Sequence, residues 1–125
     1  MISVLSNIQD DICNYADAIS GITGTDVEII DESLMRIAGT GKYRHMLNEN
    51  VAKNGYIYRH VLQVRETVLI KNPGEHPLCQ LCEKHHYCSE MLDLNAPIFL
   101  NNRVIGVIGI ICSTQAQRDT LLSQI

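Results

Sequence analysis

The 125-residue chain has no tryptophan and one phenylalanine, and its 10 lysines and arginines are outnumbered by 14 aspartates and glutamates. A nucleic-acid surface needs clustered cations for phosphates and aromatic rings for stacked bases, so no direct nucleic-acid contact is expected. Long apolar runs are missing too. The longest, Val104 to Cys112, is interrupted by Gly106 and Gly109 and reads as a strand, far short of a membrane span. No basic stretch leading into an apolar block opens the chain, so no signal peptide is legible and a cytoplasmic location is expected. In that reducing compartment the five cysteines read as thiols or ligands rather than disulfides. Catalytic motifs are also lacking. There is no His-Glu-x-x-His, and Gly39-Thr40-Gly41-Lys42 lacks the four-residue gap of a phosphate-binding loop and is followed by Tyr43 where that loop needs serine or threonine. The chain is not expected to be an enzyme.

What is present describes one globular domain spanning residues 1–125, with 46% hydrophobic and 19% charged residues. Val4, Ile8, Ile12, Tyr15 and Ile19 recur at helical spacing and predict a first helix ended by Gly21 and Gly24. Two short strands follow, near Asp26–Ile30 and Leu34–Ala38, joined by the turn-prone Asp31-Glu32-Ser33. A second helix runs from about Tyr56 to Arg65 with Ile57, Val61 and Val64 inward, then a strand, Thr67–Lys71, which stops at Asn72-Pro73-Gly74. Ala96–Leu100 and Arg103–Cys112 form a hairpin about Asn101-Asn102, since asparagine tolerates the left-handed region. Gly106 and Gly109 inside that strand suggest close backbone approach or a bulge. Asp10-Asp11 and Asp31-Glu32 read as solvated acidic pairs. A last helix begins near Gln115 and ends without a cap, as though the chain were the N-terminal part of a longer protein. This order implies an α+β fold: a central, mostly antiparallel five-stranded sheet with helices packed on one face.

The chemically specific feature is CQLCEKHHYC. It sets Cys79, Cys82 and Cys88 within ten residues, close enough to converge on one centre. Three readings stay open: a zinc site, an iron–sulfur cluster, or free thiols that oxidise reversibly. If the hairpin pairs Leu100 with Arg103, Cys112 falls opposite Met91 at the root of the loop and becomes a candidate fourth ligand, although a core role is equally open. His85 and His86 could replace a cysteine in a zinc site, and His76 shares that ambiguity. A thiol enzyme would need one of these histidines as a base beside Cys88.

The layout, with Pro97-Ile98-Phe99-Leu100-Asn101-Asn102-Arg103-Val104-Ile105-Gly106-Val107-Ile108-Gly109, resembles the GAF/PAS-like sensor domains. Adding Asp26–Asp31, Met35–Tyr43, Lys71-Asn72-Pro73 and the cysteine loop, it resembles the N-terminal sensors of sigma-54-dependent transcriptional activators. That resemblance implies a signal-sensing domain of a bacterial activator, followed in the full protein by an ATPase domain and a helix-turn-helix DNA-binding domain. It implies a homodimer through the terminal helices, and it tips the cysteine loop towards a redox-active cluster over zinc. It also implies a small-molecule pocket near Tyr43, Tyr56 and Tyr58, and hence an alternative in which the cysteine loop is only structural. Family members carry further cysteines just before the proline; Leu94, Asn95 and Ala96 stand there in this chain.

Overall fold

The structure, a computed structural model, describes residues 2–82 and 88–125. Its elements are helices α1 (Val4–Asn7), α2 (Gln9–Thr23), α3 (Tyr56–Val64) and α4 (Gln115–Leu122), and strands β1 (Asp26–Asp31), β2 (Arg36–Gly39), β3 (Val68–Ile70), β4 (Leu92–Leu100) and β5 (Arg103–Cys112). The strands form one sheet in the order β2-β1-β5-β4-β3, with every pair antiparallel. The class expected from the sequence is the class observed.

Alternation along the strands sorts the core into two faces. Val27 and Ile29 of β1 pack with Ile12 and Ala16 of α2, and Leu92 and Cys112 pack with Leu121 of α4. Ile30 and Val107 point the other way, onto Val61 of α3 and Leu34. The sequence reading put all helices on one face; α3 instead covers the face opposite α2 and α4. The short 3₁₀ turns Gly41–Met46 and Pro77–Cys79 lie against β2 and α3 respectively.

Three local departures have physical causes. The first helix breaks at Ile8 (φ −120°, ψ 35°), which turns the buried stripe onto Leu5, Ile12 and Ala16 and leaves Ile8 and Tyr15 43% and 59% exposed. In α3, Val61 is buried and Val64 is exposed, because the helix ends there with Arg65 in the left-handed region at φ 60°. In the hairpin, Leu100 pairs with Arg103 about Asn101 at φ 51°, as expected. A bulge then inserts Ile105, so Ile98 meets Gly106 and Cys112 faces Leu92 instead of Met91. Asp31, expected on the surface, is buried. Its carboxylate accepts from Ser3 Oγ at 2.7 Å and from the backbone N–H groups of Ser33 and Met35 at 2.9 and 3.0 Å, holding the β1–β2 turn.

Candidate functional site: a polar floor beneath α3

The face of the sheet under α3 carries a row of polar residues where apolar ones would pack. Glu28 of β1 pairs with Gly109 of β5, and Gly109 pairs with Asn95 of β4. One step along, Asp26 pairs with Ile111, and Ile111 with Asp93. Glu28, Asp93 and Asn95 are 4%, 2% and 2% exposed, so each must find partners inside the protein or in a bound molecule.

Glu28 has its partners. Arg36 Nε donates to Oε1 at 2.9 Å and Tyr58 Oη donates to Oε2 at 2.9 Å, while Arg36 Nη1 donates to the Met46 carbonyl at 3.1 Å. Burial pushes the Glu28 carboxyl above its ordinary range, against the opposing pull of the Arg36 charge and the Tyr58 and Arg36 hydrogen bonds. Stripping such a buried ion of its partner costs about 3–5 kcal/mol, so Glu28 and Arg36 stand or fall together. Tyr58 reaches this position because Gly109 has no side chain: a Cβ there would lie 2.8 Å from Tyr58 Oη and 3.2 Å from Asn95 Oδ1. An open cleft of about 380 Å³ runs over Glu28, Arg36 and Tyr58, walled by Met46, Glu49 and Val51.

At the far end of the row the polar groups are not satisfied. Among the described residues, Asn95 Nδ2 and Asp93 Oδ1 have no hydrogen-bond partner. Burial, then the Glu90 hydrogen bond and charge, push the Asp93 carboxyl up to about 10, so it is protonated at neutral pH. Burial likewise raises the phenols of Tyr58 and Tyr43.

The three tyrosines expected near a pocket are placed differently from one another. Tyr58 lines the cleft. Tyr43 is buried at the sheet end, its ring flanked by Arg36 and Lys42 at 5.6 and 5.2 Å. Tyr56 opens α3 with Arg59 over its ring at 5.5 Å, on the side that meets Pro77 and Leu78.

Cys79 is buried at the end of its 3₁₀ turn, where His76 is engaged in capping: its Nδ1 accepts from the Leu78 N–H at 3.1 Å. The Cys82 N–H bonds back to the Cys79 carbonyl at 3.0 Å, and Cys88 is half-buried. Cys112 is fully buried with Leu92 and Leu121, on the α4 face and across the sheet from α3 and the turn that carries Cys79. Burial raises the thiols of Cys79, Cys88 and Cys112. Among the described residues, no three His, Cys, Asp or Glu side chains are grouped to hold a metal ion. His85 and His86 lie outside the described residues.

The sequence reading missed Glu28, Arg36, Asp93 and Asn95. The signal available was parity: Glu28 shares its face with Ile30, and Asn95 shares its face with Asp93 two residues earlier.

Comparison with known proteins places this geometry. No protein-family model matches the chain. Solved GAF domains share its fold: the nlh2 GAF domain of A. aeolicus in an inactive state superposes with a TM-score of 0.65 at 18% identity, over 92% of this chain and 74% of that one. The same fold also carries an enzyme, the type II free methionine-R-sulfoxide reductase of Thermoplasma acidophilum, with a TM-score of 0.67 at 12% identity over 96% and 88% of the two chains. The chain has the fold of GAF domains, and its sequence is similar to the corresponding part of a sigma-54-dependent transcriptional regulator. In particular, it is 35% identical over 117 residues to UacR of Escherichia coli strain K12, a sigma-54-dependent transcriptional regulator provisionally assigned to uric acid. That match takes in 94% of this chain and 20% of the regulator's length.

Proposed function

We propose that this chain is the signal-input domain of a sigma-54-dependent transcriptional regulator, acting by binding a small polar organic molecule in the cleft over Glu28, Arg36 and Tyr58. The observation that carries this reading is the buried polar floor itself. A non-enzymatic sheet face has no folding reason to bury an ion pair, a protonated aspartate and an asparagine side by side, since well-packed apolar residues would be at least as stable. A ligand gives that arrangement its use, because fixed donors and acceptors in a dry site confer selectivity. Uric acid, associated by name with the relative UacR, is the first molecule to test. It is a flat heterocycle edged with N–H and C=O groups that could meet the donors and acceptors of Arg36, Glu28 and Tyr58. In the full protein the message would pass to ATPase and DNA-binding parts.

Calorimetric titration of the chain with uric acid and other small heterocycles tests this directly. Saturable binding near one to one is expected. Tyr58→Phe, which removes one hydroxyl, should weaken binding about tenfold, in line with a hydrogen bond that touches a charged group. Absence of binding to every compound at millimolar concentration, or binding indifferent to both Tyr58→Phe and Arg36→Met, would overturn the reading.

A further inference from the structure

The turn that leads into the cysteine loop does not line the cleft. Pro77–Cys79 is a 3₁₀ turn, and its hydrogen bonds continue beyond it. The Cys79 N–H donates to the His76 carbonyl at 2.8 Å, Gln80 to Pro77 at 3.3 Å, and Cys82 to Cys79 at 3.0 Å. Cys79 and Cys82 are therefore the first and fourth residues of one hydrogen-bonded turn, which keeps their Cα atoms within about 7 Å. In backbone of this pitch, side chains three residues apart lie over one another. A disulfide spans Cα separations of about 4.4–6.8 Å, so the turn sets this pair at a distance the bond can bridge. Both residues are thiols in this structure.

The two thiols differ in access. Cys79 is 7% exposed, whereas Cys82 is half-buried beside Leu81, which is 74% exposed. A small molecule arriving from solvent meets Cys82 first. Burial raises the Cys79 thiol, a backbone hydrogen bond with Gly74 pulls it down again, and the charges of Glu90 and Cys82 reach it. Cys13 packs on the α2 side of the sheet and Cys112 on the α4 side, so neither competes for this pair. Cys88, whose thiol feels the charge of Cys79, is the rival partner.

We propose that Cys79 and Cys82 form a thiol–disulfide exchange site for small-molecule disulfides of the glutathione class. The Cys82 thiolate attacks one sulfur of the small disulfide, forms a mixed disulfide and expels the first thiolate. The Cys79 thiolate then attacks the Cys82 sulfur, closing the Cys79–Cys82 bond and expelling the second. The protein pair loses two electrons and two protons, and the small molecule takes them up as two thiols. The turn lies against α3, so the crosslink stiffens the support of the helix that carries Tyr58.

For the test, the reduced 125-residue chain is equilibrated with glutathione and glutathione disulfide, quenched with an alkylating agent and read by mass spectrometry. The expected product has lost two of its five thiols, with the bond mapped to Cys79 and Cys82, and dithiothreitol restores all five. Cys88→Ser should react as the parent does. Cys79→Ser should stop at a glutathione adduct on Cys82, and Cys82→Ser should form no crosslink. The equilibrium constant for the crosslink should be about tenfold higher in the folded chain than in urea, because the turn holds the pair together. Both states are read on the parent sequence, so the comparison does not depend on how any variant folds. A bond mapped to Cys88, a parent chain that stops at the glutathione adduct, or equal constants in the folded and unfolded chain would each overturn the assignment. So would one equivalent of zinc that shields the reduced thiols from oxidation.

Discussion

At the scale of single residues, Asp93 is the most consequential side chain that apolar packing would not choose. Its carboxyl holds a proton up to about 10 in the folded chain, against 3.8 for the free group. Across that window the folded state carries one more bound proton than the unfolded state, so stability is fully present below the lower value and is lost as pH rises towards the upper one. Asp93→Asn keeps the shape and the hydrogen bond available to Glu90 while abolishing the titration. The substituted chain should gain thermal stability over the parent, with a gain near zero at about pH 4 that grows steadily to about pH 9. Melting curves across that range decide it: a gain of the same size at both ends would mean that some other group titrates.

At the scale of elements, α4 shows how much a short helix depends on its first turn. It has eight residues, too few to be stable alone, and Leu121 is its buried anchor. Thr114 and Gln117 form a reciprocal capping box: Thr114 Oγ1 accepts from the Gln117 N–H at 3.1 Å and Gln117 Oε1 accepts from the Thr114 N–H at 3.2 Å. Thr114→Ala should therefore cost about 1 kcal/mol in chemical denaturation, and Thr114→Ser should recover most of it. Loss of less than a few tenths in Thr114→Ala would show that packing of Leu121 holds the helix unaided.

The same scale shows what was legible beforehand. The hairpin turn was, because asparagine at positive φ is a local property. So was the close approach at Gly106 and Gly109, where a Cβ would meet Leu5 and Tyr58. A bulge was suggested by the strand glycines, but its effect on register was not carried through: the extra residue, Ile105 beside Gly106, displaced Cys112 from the partner expected for it. The first half of β4 was missed. The strand was expected to start at Ala96, yet Leu92–Asn95 belongs to it, with Asp93 and Asn95 standing opposite Ile111 and Gly109. The candidate site was illegible for that reason. Its polar side chains come from β1, β2, α3 and β4, and only pairing brings them together, whereas the cysteine loop drew notice because its residues are adjacent in sequence.

At the scale of the whole molecule, the sheet separates two surfaces with different work to do. The α3 face holds the polar floor, and the opposite face packs on α2 and α4. Adjacent residues of one strand serve both: Glu28 holds Arg36 and Tyr58, while Val27 and Ile29 pack under α2. A shift of β1 on ligand binding would thus be felt directly by α2. The outer side of α2 carries Tyr15 and Ile22, 59% and 82% exposed and spaced seven residues apart, the interval at which apolar residues line a seam between paired helices. A homodimer through this helix would give the message a second chain to act on. Light scattering at about 100 µM should then report twice the 14.0 kDa chain mass. Tyr15→Glu with Ile22→Glu should return the monomer and leave any ligand affinity of the cleft as it was, since neither residue lies on the cleft side of the sheet. A parent chain that is already monomeric at that concentration would remove α2 as the pairing element and leave any coupling to act within one chain.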